Sequence, residues 1–133
     1  MESNAKGNVL IVDNDDRILG KFQQLLEDAG FNTTTTWSGH EALGFLRSGV
    51  FDVLLVDDYL PDLHSHNFLE CVSRLPIQPS IVVMHHEPPR PDDLRRYQSL
   101  GISELVNKGD PVKVCQAVSF CHSEQPLAAR TVN

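Results

Sequence analysis

Several short apolar runs in this chain end on residues that bind cations or phosphate oxygens. Val9-Leu10-Ile11-Val12 runs into Asp13-Asn14-Asp15-Asp16, and Val53-Leu54-Leu55-Val56 runs into Asp57-Asp58. Ser80 to Met84 meets His85-His86, and Ile102 to Val106 is followed by Asn107-Lys108. Carboxylate and amide oxygens are the hard donors that suit Mg²⁺, which takes few carboxylates and keeps its waters. A carboxylate beside such a cation can act as a nucleophile toward a phosphoryl group, giving an aspartyl phosphate. A lysine in the same place neutralises phosphoryl oxygens as a point charge. This chemistry requires that separate stretches of chain deliver their ends to one place.

The elements between the runs supply that delivery. Each run is too short for a buried helix and most are rich in β-branched residues, as expected of strands covered on both faces. Pro61 bars the 53–56 run from continuing as a central strand. Ile18, Leu19, Phe22, Leu25, Leu26 and Ala29 form the stripe of a helix, with Asp15 or Asp16 at its start and Gly30 at its stop. Phe31 to Trp37, with four successive threonines, reads as a strand near a sheet edge. Ser38-Gly39-His40-Glu41 has the spacing of a capping box and opens a second helix that stops near Gly49. Further helices carry Phe68, Leu69, Val72 and Leu75, then Leu94, Tyr97 and Leu100, then Val114, Cys115, Val118 and Cys121. Five strands alternating with five helices predict a parallel sheet covered on both faces. Ligands of such a sheet sit at the carboxyl ends of its strands. Asp13, Asn14, Asp57, His85 and Lys108 therefore converge on one edge.

Composition narrows the classes. A chain of 133 residues buries one core, and a net charge of -7 excludes a phosphate-binding nucleic-acid surface. No apolar stretch approaches the roughly 20 residues that span a bilayer. The start, Met1-Glu2-Ser3-Asn4-Ala5-Lys6, lacks the apolar core of a secretion signal. Cys71, Cys115 and Cys121 show no zinc spacing and read as thiols of a reducing, cytoplasmic compartment. His64, His66, His85 and His86 suggest a transition-metal site only weakly, since His-x-His in a loop is more often solvated. Asp13-Asn14-Asp15 also matches the Asp-x-Asp of a phosphatase nucleophile. Arg17 stands where that motif wants Thr or Val, and Asp57 with Leu60-Pro61 is then unexplained, so the chain is not read as an enzyme.

Val9-Leu10-Ile11-Val12-Asp13, Asp52-Val53-Leu54-Leu55-Val56-Asp57 with Leu60-Pro61, and Lys108 together resemble the receiver domain of a two-component response regulator. The resemblance covers residues 9–122, leaving 1–8 as an N-terminal extension and 123–133 as a disordered tail. It implies a flavodoxin-like (βα)5 doubly wound parallel sheet of strand order 2-1-3-4-5. It also implies that Asp57 accepts a phosphoryl group from a sensor histidine kinase or a phosphotransfer protein. Asp13, Asn14, Asp57 and the Tyr59 carbonyl are the implied Mg²⁺ ligands, and Lys108 is the implied phosphoryl contact. Signalling then runs to an effector protein or domain, from a monomer or weak homodimer, without direct nucleic-acid or membrane binding.

Several positions depart from the family pattern. Asn14 replaces the second acid, which predicts weak Mg²⁺ binding because one ligand charge is gone. His85 replaces the Ser or Thr that meets the phosphoryl group, and imidazole can serve there as a charged donor. Leu105 stands where an aromatic switch residue is usual, and Gly109 replaces the proline that follows the lysine. The Gly-rich turn after Pro61 becomes Asp62-Leu63-His64-Ser65-His66. These changes predict a damped response along the fourth and fifth strands. The competing reading is a pseudo-receiver that binds partners without phosphorylation.

Overall fold

The computed structural model describes residues 6–63 and 65–123, with the backbone alone for 65 and 66. Among them, five strands alternate with five helices: β1 (Asn8–Val12), α1 (Asp16–Asp28), β2 (Asn32–Thr36), α2 (Gly39–Ser48), β3 (Val53–Asp57), α3 (Ser65–Ser73), β4 (Ser80–His85), α4 (Pro91–Ser99), β5 (Glu104–Asn107) and α5 (Pro111–Ser123). The sheet order is β2-β1-β3-β4-β5 and every pairing is parallel. This is the expected 2-1-3-4-5 order of a flavodoxin-like sheet.

Period-two alternation divides the core between the two faces. Val9, Ile11, Val53, Leu55, Val82 and Met84 meet Leu19, Phe22 and Leu26 of α1 and Val114 and Val118 of α5. Leu10, Val12, Leu54, Val56, Ile81 and Val83 meet α2, α3 and Tyr97 of α4. Val9–Val12 and Val53–Val56 are fully buried, which is why both read as unbroken apolar runs. Burying each such side chain contributes about 1.5–3 kcal/mol. The threonines of β2 lie at the sheet edge, where the Thr33 hydroxyl donates to Glu27 at 2.7 Å and the Thr36 hydroxyl pairs with the Glu41 carboxylate.

Local signals set the helix ends. The Asp15 carboxylate accepts from the Arg17 N–H at 2.9 Å to start α1. Gly30, at φ +103°, and Gly101, at φ +77°, turn the chain out of α1 and α4. Ser38 accepts from the Glu41 N–H at 3.1 Å, but the reciprocal half of the expected capping box is absent, because Glu41 is drawn to Thr36. Three boundaries also move. β5 begins at Glu104 rather than Ile102. Asn8 rather than Val9 opens β1, and the Lys6 N–H donates to the Gly30 carbonyl at 2.8 Å. Ser123 closes α5, and the expected tail beyond it lies outside the described residues, as do residues 1–5. Among the described residues no helix is long and apolar enough to cross a membrane.

Candidate functional site

Register brings the acids together. Val12 of β1 is paired with Val56 of β3, so Asp13 and Asp57, the residues that follow them, emerge side by side at the carboxyl edge. On the other flank, Val83 pairs with Leu105 and His85 with Asn107. The Lys108 N–H then donates to the His85 carbonyl at 2.9 Å, extending the ladder by one step and aiming the lysine back across the edge. Its ammonium lies 2.7 Å from Asp13 Oδ2 and 2.7 Å from Asp57 Oδ1. The other Asp13 oxygen accepts from the Asp15 N–H at 2.9 Å. Asp13 is fully buried, Asp57 6% exposed and Lys108 5% exposed, so water screens these pairings little.

Burial and charge act in opposite directions here. Burial raises the Asp13 and Asp57 carboxyls above their ordinary range, and the bonds from Lys108 only partly offset it. Burial alone would depress the Lys108 ammonium, yet its bonds to Asp13 and Asp57 outweigh that and hold it above its usual value. A third carboxyl, Asp58, is also raised by burial, against the opposing charge of Lys108. Three acids therefore face one ammonium, leaving negative charge for a further cation to neutralise.

The remaining expected residues occupy the rim. Asn14 is exposed beside Asp13. Tyr59 turns an exposed side chain outward, so a metal could use only its carbonyl. His85 follows Ile81 and Val83 to the face covered by α4, and its Nδ1 is buried with no hydrogen-bond partner among the described residues. No group of three or more His, Cys, Asp or Glu among the described residues is arranged to hold a metal by itself. In the histidine cluster, His64 lies outside the described residues.

Three neighbours were not legible as site residues. Asp58 stands beside Asp57, and a doubled acid at a strand end is its signal in the sequence. Asp62 accepts from the Gly39 N–H at 3.1 Å, the His40 N–H at 3.2 Å and the Ser38 hydroxyl at 2.9 Å, tying the loop after β3 to the start of α2. Burial pushes its carboxyl slightly up, and those three donors more than reverse this. Tyr97 belongs to the core stripe of its helix and also lines a cleft with Asp58.

Residues 9–119 match the family model of the response regulator receiver domain. The chain belongs to that family. It is therefore a receiver domain of two-component signalling. Among curated relatives, the receiver is similar to the polar-differentiation response regulator DivK of Brucella anthropi, with 25% identity over 121 residues, 91% of this chain and 85% of DivK. It is 26% identical over 103 residues to the uncharacterized transcriptional regulatory protein YkoG of Bacillus subtilis, 77% of this chain but only 45% of YkoG. A match to the alginate biosynthesis transcriptional regulatory protein AlgB of Pseudomonas aeruginosa spans 16% of that protein. The chain thus spans less than half the length of these two transcriptional regulators. The fold matches the CheY-like receiver domain protein of Methanospirillum hungatei, with a TM-score of 0.82 and 23% identity, covering 89% of this chain and 94% of that one.

The departures of this receiver have structural counterparts. The Lys108–Gly109 step needs no proline: the Gly109 N–H donates to Asn107 Oδ1 at 2.8 Å, and no cis peptide occurs among the described residues. Leu105 is half-buried against the same cluster that holds Tyr97. His85 contributes a ring where the family pattern has a hydroxyl.

Proposed function

We propose that Asp57 accepts a phosphoryl group from a phosphohistidine of a sensor kinase or phosphotransfer protein. The observation that carries this reading is the buried Lys108 ammonium bridging Asp13 and Asp57 at 2.7 Å each. A pseudo-receiver working without phosphate has no evident use for a buried lysine with two buried acids, since such groups cost several kcal/mol to desolvate.

In the reaction, an Asp57 carboxylate oxygen forms a bond to phosphorus while the phosphorus–nitrogen bond of the donor breaks. The electron pair goes to the leaving imidazole nitrogen, which takes up a proton. Asp13 stays ionised beside Lys108, and Lys108 turns from the Asp57 oxygen to the phosphoryl oxygens, which need its charge more. His85, with Nδ1 buried and unpaired, lies on the adjacent strand end as a second donor to the phosphoryl group.

The donor set fits Mg²⁺: hard oxygen ligands, with Asp13 and Asp57 buried at one strand edge around a single ammonium. Asp13, Asp57, the Asn14 amide and the Tyr59 carbonyl would hold it. Bound Mg²⁺ supplies positive charge to the phosphoryl oxygens. With Asn14 in place of an acid, its binding is weak.

The test is incubation with acetyl phosphate followed by intact mass. One added phosphoryl group is expected, absent in Asp57→Asn. A phosphoryl group that survives the substitution, or maps to another residue, refutes the assignment.

A further inference from the structure

Helix α4 turns one buried side chain toward the acid edge. Tyr97 is 4% exposed, whereas its neighbours Arg96 and Gln98 face solvent and Leu94 is 39% exposed. The ring packs in the cluster containing Ile81, Val83, Phe68 and Leu69. It also lines an open cleft of about 480 Å³ with Asp58, Tyr59, Pro88 and Pro89. Asp58 belongs to both places. It lines this cleft with Tyr97, and it directly follows the phosphoacceptor, its N–H donating to the Met84 carbonyl at 2.9 Å. The residue after the phosphoacceptor thus shares a cleft with the only buried residue of the described α4.

Nothing comparable is available through β5. Leu105, half-buried against the same cluster, has no polar group with which to sense charge. Tyr97 does have one. Burial, together with the carboxylates of Asp58, Asp93 and Asp57, pushes its hydroxyl up to about 12, so it remains a donor through the physiological range. The chain entering α4 has little slack. Ring closure fixes Pro88, Pro89 and Pro91, and the residue before each proline is held extended, as Arg90 is at φ -74° and ψ 159°. A push on Tyr97 is therefore passed to the helix rather than absorbed by its leading loop.

We propose that Tyr97 couples the acid edge to α4: a phosphoryl group on Asp57 drives the Asp58 carboxyl toward the Tyr97 hydroxyl, and α4 re-seats with the ring. The driving force is repulsion between the phosphoryl dianion and Asp58 in a site of low screening, which biases two packings of one element. The proposal deepens the phosphoacceptor reading of Asp57 and rests on it.

The experiment uses the whole chain with Mg²⁺ and beryllofluoride as the probe, reading binding affinity and the amide shifts of residues 91–99. Tyr97→Phe keeps the ring and its packing and removes only the hydroxyl. It is expected to bind beryllofluoride within about twofold of the parent while losing most of the α4 shift, a split that separates coupling from binding. Leu105→Ala is expected to keep the α4 shift, and the Tyr97 Cζ resonance of the parent is expected to move on binding. A full α4 shift in Tyr97→Phe overturns the proposal. So does a loss of affinity in parallel with the shift, which marks Tyr97 as a structural support of the pocket. Binding to the parent that leaves α4 silent overturns the coupling alone, whereas absence of binding to the parent removes the phosphoacceptor reading and the coupling with it.

Discussion

The Lys108 ammonium, 2.7 Å from both Asp13 and Asp57, answers one of three negative charges that burial makes unfavourable. Removing it leaves two buried carboxylates facing each other, and breaking a buried pair from one side costs about 3–5 kcal/mol. Lys108→Ala is therefore expected to lower the urea midpoint strongly at neutral pH, less so in acid, where the carboxyls hold their protons. An unchanged midpoint would show that the lysine is not the charge partner of the two acids. Asn14 is the opposite case: exposed beside Asp13, it brings an oxygen without a charge. Asn14→Asp adds a carboxylate near the cation, and electrostatic attraction of that size tightens Mg²⁺ by about tenfold. Isothermal titration checks this, and equal affinity in the two proteins removes Asn14 from the ligand set. Asp13, Asp57 and Lys108 were legible because each follows an apolar strand, a position fixed by chain order and parallel pairing. Tyr97 was not, because a helical stripe tells which face is inward but not what lies opposite it.

At the level of elements, the loop after β3 is held by Asp62 rather than by glycine turns. Its carboxylate collects two N–H groups at the start of α2 and the Ser38 hydroxyl, serving the helix from a distance as an N-terminal anion. Asp62→Ala is expected to destabilise the domain by about 1 kcal/mol, the usual scale for losing a cap. The same substitution frees the loop that carries Tyr59, so hydrogen exchange at residues 58–63 should accelerate while β1 is unaffected. Protection unchanged in that loop argues that Leu60, fully buried, holds it instead. The elements themselves were readable from sequence in kind and order. Their ends were readable where a side chain caps locally, as Asp15 does for α1. They depart from expectation where another partner competes: Thr36 diverts Glu41 from the capping box, and Ser103, whose N–H pairs with the Ile81 carbonyl at 2.8 Å, precedes the first residue of β5.

For the whole molecule, the acid edge sets stability against function. Burial raises Asp13, Asp57 and Asp58 above the ordinary 3.8. A carboxyl whose pKa is higher folded than unfolded binds its proton more tightly in the native state. Its stabilising contribution is complete below the unfolded pKa and is lost as the pH rises through the folded one. Above their folded pKa values these groups are ionised at the expense of the fold. Asp57→Asn relieves part of that repulsion and is expected to raise the melting temperature by a few degrees at pH 7, an advantage that shrinks as the pH falls through the raised range toward 3.8. Mg²⁺ acts on the same strain from the other side. A ligand at a hundred times its dissociation constant stabilises the native state by about 2.7 kcal/mol. Saturating Mg²⁺ should thus raise the melting temperature of the parent chain at pH 7 and do little for Asp13→Asn, which lacks a carboxylate that would hold it. The Mg²⁺ effect should fade on acidification, because protons and metal compete for the same oxygens. The decisive comparison is the parent without Mg²⁺ against Asp57→Asn. If the substitution lowers the melting temperature at pH 7, the pairing with Lys108 outweighs the desolvation of Asp57, and the edge is a structural ion-pair network rather than a strained pocket awaiting a cation.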